Sequence, residues 1–349
     1  MERCDSDKRV LIVEDPKTGT KKEVRFEYAG EGRLAVTVAT APNGTICGGE
    51  TTSFFVYDPR TDAWFHHPGR GQWNTVTRQG GRFYIGAYSP GTLLAWDPSK
   101  PWVMTERGKE GCNPAILFEC PGVIINRPHE LLAYPDGKTL IMGGTPAYGH
   151  TGGGLFFWDC ETRTPTLLTH TDLLPEHSTM SLVPLAGGKL LGGTTTAAGS
   201  GGEQKAKEAE LYILDMKTKR IEWHAVVFPG VQSYTDMCAG PNRLVYGFAD
   251  GRTFFVFDGG KRAVVHQEET QARFGGTVWH QGPRVFLQSP KGDTYVLFGK
   301  GIAKVDSKSY AITMLAESPV SIGVGGDYLD GRIYFGCRSR LYSYQLPRP

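Results

Sequence analysis

The chain has no apolar run approaching the roughly 20 residues that span a bilayer. Its opening residues, MERCDSDKRV, lack the hydrophobic segment of a secretory signal. No membrane partner is expected, and the sequence as written reads as cytoplasmic, or as secreted or periplasmic if a leader has been removed. Cysteine is present without a framework. The seven residues (4, 47, 112, 120, 160, 238, 337) are odd in number and contain no CxxC pair, which argues against a disulfide scaffold or a zinc ribbon. Charge of one sign is also missing. With 38 Lys and Arg against 36 Asp and Glu, the net charge of +2 is too small for the basic stripe of a nucleic-acid binder. Helical periodicity is scarce, EQKAKEAE (203–210) being its best example.

Nucleotide and hydrolase signatures are absent as well. GSGGEQKA (199–206) has Gln204 and Ala206 where a phosphate loop needs glycine and Ser or Thr. GHTGGG (149–154) lacks dinucleotide-site spacing. No GxSxG elbow occurs, and nothing nominates a serine to accompany His170, His177 and Asp172.

What the sequence has is glycine, 46 residues of it, and short runs rich in valine, isoleucine, phenylalanine and tyrosine. Seven times an apolar run meets a tight turn and a second run: APNGT (41–45), RQGGR (78–82), YPDGK (134–138), LAGGK (185–189), AGPNR (239–243), SPKGD (289–293) and YLDGR (328–332). A third run follows, usually ending in Asp: Asp58, Asp97, Asp159, Asp215, Asp258 and Asp306 hold equivalent places. Asp at that position starts a turn into a fourth strand. This spacing predicts an all-β, seven-bladed β-propeller with four-stranded antiparallel blades, one domain over residues 1–349. The last repeat shows only three strands, so a hairpin at about 9–28 is expected to lend its missing strand and close the ring.

In such blades the start of the first strand and the loop between the second and third lie on one face. His129 and His150 occupy those two places in the third repeat, RPHELLAYPDGKTLIMGGTPAYGH (127–150), so both imidazoles can face one basin. The same two places read across all the repeats also give Arg33, Trp73, Tyr88, Arg127, Tyr148, His177, Lys205, Lys207, Tyr234, Asp236, Arg252, His280 and Arg284. Histidine, tyrosine and cations together suit a pocket for an anion that undergoes proton transfer.

The PHELLAYPDGKTLIMGGTPAYGH stretch, with its two histidines on one blade, resembles the seven-bladed propeller polysaccharide lyases of the ulvan and rhamnosyl-glucuronate type. The resemblance implies a lyase that cleaves a uronate-containing poly- or oligosaccharide by β-elimination, with His129 and His150 as base and carboxylate neutraliser in either order. No motif here matches that family's tyrosine and arginine. Tyr234 is the expected proton donor by its place on the face. Arg127, Tyr148, His177, Lys205, Arg252, Arg284, Tyr88 and Trp73 are the expected substrate contacts. The implied reaction needs no cofactor, its partner is an anionic glycan, and a monomer is expected. Two alternatives remain open: a non-catalytic scaffold that binds glycan or protein on the same face, and a metal-dependent sugar enzyme. In the latter, His129, His150 and His177 would hold zinc or manganese.

Overall fold

The computed structural model describes residues 2–5, 10–25, 34–50, 53–105, 111–278, 282 and 284–347. Arg33 and His280 lie outside the described residues, as do residues 9 and 26–28 of the expected closing hairpin. The chain forms two compact units, residues 1–32 and 33–349. In the first, strands Glu2–Asp5, Val10–Glu14 and Lys21–Arg25 make an antiparallel sheet of their own.

The second unit is a seven-bladed propeller. Its first six blades are four-stranded sheets and its seventh contains Val324–Leu329, Arg332–Cys337 and Arg340–Gln345. In the N-terminal unit Val10–Glu14 is paired on both edges, with Glu2–Asp5 and Lys21–Arg25. The third strand of blade seven is partly exposed along its length, whereas the third strand of every other blade is mostly buried.

The local chemistry of the repeats follows the sequence reading. The turn YLDGR places Asp330 and Gly331 at φ 48° and 78°, the left-handed pair that a two-residue hairpin needs. All six blade aspartates accept backbone N–H groups two or three residues on; Asp159, for example, takes Glu161 N at 2.9 Å and Thr162 N at 2.8 Å. Asp58, Asp97, Asp215, Asp258 and Asp306 do the same. Side-chain donors lead for Asp58 (Arg60), Asp97 (Ser99) and Asp215 (Lys189) and the backbone amides lead for the others; both favour the charged carboxylate, and all six sit below the usual carboxylate range.

The ring is joined at its axis by a polar belt. Most inner strands carry a bulge near their start, at Trp73/Thr75, Pro128/Glu130, Thr179/Ser181, Tyr234/Asp236 and Val324/Asp327. A bulge re-aims the side chains around it. Here one polar side chain per blade reaches the backbone of the next. Thr37 Oγ1 donates to Trp73 O (2.6 Å) and Asn74 Nδ2 to Pro128 O (3.3 Å). The Leu182 amide of the next blade lies near the Glu130 carboxyl and favours its charged form, and Ser181 Oγ donates to Tyr234 O (2.9 Å). Asp236 Oδ2 accepts from Val285 N and Phe286 N (2.5 and 3.1 Å). Arg284 Nε donates to Gly326 O (3.3 Å), and Asp327 Oδ2 accepts from Thr40 N (2.9 Å). The last of these joins blade seven to blade one across 287 positions of sequence. Each neutral bond of this kind contributes about 0.5–1.5 kcal/mol, and those to charged groups more.

Candidate functional site

Two places on the propeller gather functional groups. One is an axial cavity of about 300 Å³ whose walls include His129, Glu130, Asp236 and Arg284. A Cβ on Gly282 would meet Asn74 O of blade two at 2.3 Å, so only glycine fits that approach. Arg284 Nη1 donates to Val76 O of blade two (3.2 Å) and Nη2 to Asp327 (3.1 Å). Arg78 approaches the same carboxylate at 3.5 Å.

Burial and the nearby Asp236 push Glu130 up to about 8. Burial also pushes Asp236 up to about 6, against the pull of its backbone donors and of Arg284. These are the most perturbed carboxyl groups of the inner strands, and the axial cavity is the obvious first candidate. The Asp236 oxygens are nevertheless committed to the belt, and Glu130 Oε1 accepts from its neighbour Leu131 N (3.0 Å). Asp236 already takes three amides, counting Met237 N at 2.9 Å.

The other place is the rim between blades two and three. Tyr88, at the end of the second strand of blade two, and Tyr148, in the loop 146–153 of blade three, share a hydrogen bond between hydroxyls of 2.7 Å. The guanidinium of Arg127, first residue of blade three's inner strand, lies 4.9 Å from the centre of the Tyr88 ring. Its Nε is buried and meets no hydrogen-bond partner. The hydrogen bond from Tyr148, with Arg127 beside it, holds Tyr88 below the usual phenol value. The same contact raises Tyr148, which is 60% exposed. A proton shared between two phenols beside a cation, open to solvent, can serve an incoming anion with both charge and proton transfer.

The hairpin geometry expected for the two histidines is present: Arg127 pairs with Thr145, so the start of the first strand meets the end of the second. The imidazoles part company beyond that. His129 falls in the bulge, lines the axial cavity and has Nε2 3.1 Å from Thr145 Oγ1. His150 is exposed on the loop of Tyr148 and is not part of that cavity wall.

Several expected roles need correcting. Tyr234 is fully buried, stacked edge-on against Phe255. Its hydroxyl lies near the Val227 and Phe228 amides without a well-formed bond, and burial raises its pKa. No substrate can reach it as an acid. Trp73 is likewise buried, 4.1 Å from Phe54 between ring centroids. Both residues begin inner strands and pack over a glycine of the preceding blade. A Cβ on Gly49 would meet Trp73 Cβ at 2.4 Å, and one on Gly193 would meet Tyr234 Cβ at 2.6 Å.

Arg284 belongs to the belt rather than to a rim pocket, its side chain only 24% exposed. His177 has both ring nitrogens against backbone carbonyls, Pro175 O (2.8 Å) and Glu208 O (2.9 Å), so the three-imidazole metal site is not formed. Among the described residues no cluster of three His, Cys, Asp or Glu side chains could hold a metal. Lys205 and Arg252 stand on exposed loops, loosely opposite Glu176 (4.0 Å) and Asp250 (3.8 Å). His170 and Asp172 serve local turns, accepting Glu176 N and Thr169 N.

Glu130 and Asp327 escaped the sequence reading, and Asp236 was placed on the face rather than in the belt. Their signal is an acidic residue at the same place in alternate inner strands, as in HELLA, YTDMCA and GGDYL.

No protein-family model matches the chain, and no curated protein matches it. Solved structures do match. The β-propeller domain of Myceliophteria thermophila Cps50 (Swd1) is similar with a TM-score of 0.63 at 12% identity, over 92% of this chain and 99% of that one. At that identity the similarity is one of architecture: this chain is a β-propeller.

Proposed function

We propose that the rim of blades two and three binds a carboxylated glycan and cleaves it by β-elimination at a uronate residue. The hydrogen-bonded Tyr88–Tyr148 pair beside Arg127 carries this reading. The reaction requires a cation on the carboxylate, a base for the C5 proton and an acid for the departing O4. As the C5 proton leaves, its electron pair forms the C4=C5 double bond and O4 departs with a proton. Arg127 suits the carboxylate. Tyr88, held toward its ionised form, suits the base, and Tyr148 suits the acid. His150, on the loop of Tyr148, supplies a second titratable group at the same rim, and Lys205 lies on the loop beside it.

The test is a panel of uronate-containing glycans, ulvan and rhamnosyl-glucuronate polymers included, followed by the ultraviolet absorbance of the unsaturated product. Product from wild type, lost in Tyr148→Phe and Arg127→Ala, is the expected result. Product that survives both changes would move the chemistry elsewhere, and no product on any substrate would remove the lyase reading.

A second reading is a binding surface without chemistry. Tyr148 and Val123 are both more than half exposed, and their loops are tied by Ala147 N to Gly122 O (2.9 Å). Exposed aromatic and aliphatic groups beside a cation suit a docking face. Glycan or protein binding that Tyr148→Ala abolishes, with no product formed, would support it.

A further inference from the structure

The loop 197–209 leaves blade four and lies against the loop 146–153 that carries His150. Gly199 N donates to His150 O (3.0 Å), Gly149 N to Ser200 O (3.1 Å) and Thr151 Oγ1 to Glu203 O (2.5 Å). Its far end is held by blade five, through Ala209 N to Val231 O (2.7 Å) and Gln232 Nε2 to Lys207 O (2.8 Å).

His177 stands where these loops meet. Its backbone carbonyl takes Gly153 N at 2.9 Å, tying it to the His150 loop. Its ring bridges Pro175 O through Nδ1 and Glu208 O through Nε2. A backbone carbonyl only accepts, and neutral imidazole carries a single N–H. Imidazolium alone can donate to both. The neutral ring keeps one contact and turns a bare nitrogen lone pair toward the other carbonyl.

We propose that His177 is a protonation-controlled pin that fixes the loop 197–209 against the loop of His150. Charged, it holds Glu208 and Pro175 together. Neutral, it frees one of them, and the loop that frames the rim loosens. Charged groups stand on the segments beside it. Glu176 shares its carboxylate with Lys205 at 4.0 Å. Glu208 spends its own on Gly230 N (2.6 Å). Asp250, from blade five, takes Gln232 N and Ser233 N. His170 accepts Glu176 N through Nδ1, and Lys207 and His150 sit on the two loops. A consequence for turnover rests on the proposed function; the pin itself does not.

The test is hydrogen–deuterium exchange of the full chain at about pH 5.5 and about pH 8, either side of the histidine range. After correction for intrinsic exchange, residues 197–209 are expected to exchange about tenfold more slowly at the lower pH, the worth of one charge-assisted hydrogen bond. His177→Gln should abolish that step. Equal protection at both pH values, or a step retained in His177→Gln, would overturn the proposal. Should the variant fold poorly, ring ¹⁵N shifts of wild-type His177 decide. Both nitrogens protonated at the lower pH are expected, and one neutral tautomer throughout would overturn the pin. No glycan is needed, so Tyr148→Phe, which tests the lyase reading, should leave the exchange step intact.

Discussion

The axis and the rim of this propeller make opposite impressions. The axis holds the more perturbed carboxyl groups, Glu130 and Asp236, in a cavity with an arginine. The rim holds a hydrogen-bonded pair of phenols, Tyr148 exposed and Tyr88 half-buried, shifted in opposite directions. Perturbation alone would favour the axis. Hydrogen-bond partners reverse the choice: Asp236 is occupied by backbone amides, two of them from the next blade, whereas Tyr148 faces solvent beside Arg127. A shifted pKa reports burial. An exposed polar pair beside a cation reports room for a ligand.

The comparison can be broken most decisively at Arg284. Arg284→Ala removes the donor to Gly326 O, Val76 O and Asp327 at once, and leaves Asp327 a poorer set of partners. A loss of about 3–5 kcal/mol in denaturant-induced unfolding is expected. Full stability with lost glycan turnover would instead make the axis the functional site. At the rim the expectation is inverted. Tyr148→Phe should slow turnover about 10²-fold or more while changing stability by less than about 0.5 kcal/mol.

Glu130 sharpens the contrast through pH. Its carboxyl is raised from 4.5 to about 8 in the folded protein. Between those values the folded state holds a proton that the unfolded chain releases, so stability falls as pH rises through that window. Glu130→Gln keeps an acceptor near Leu182 N without the charge. It should gain stability relative to wild type as pH rises toward 8, and show no relative gain below pH 4, as read from denaturation midpoints. The smallest effect belongs to Tyr234→Phe. A buried hydroxyl without a well-formed bond can be removed at little cost, so stability within about 0.5 kcal/mol and unchanged turnover are expected. A large loss of turnover would return Tyr234 to the chemistry.

The blades were readable because their punctuation is local. Asp159 and its counterparts bond to amides two or three residues away, and Asp330–Gly331 needs only its own backbone. The belt was not, because a bulge shifts each side chain by one place and its partner lies a blade away. The same shift separated His129 from His150. Tyr234 and Trp73 were misassigned for a related reason: position along a strand told which end they occupy, but the direction they face depends on a glycine in the preceding blade. The rim cluster was half legible. Tyr88, Arg127 and Tyr148 were each singled out, and only the fold showed that they touch.

The belt carries a consequence for how the ring would tolerate being cut. Its joints run from every blade to the next, and the joint between Asp327 and Thr40 is made on the same terms as those between consecutive segments. A nick in the turn at 217–219, outside the axis, would remove none of them. Two fragments produced there should stay bound as a complementing pair, because the covalent chain orders the blades while the polar belt holds them together.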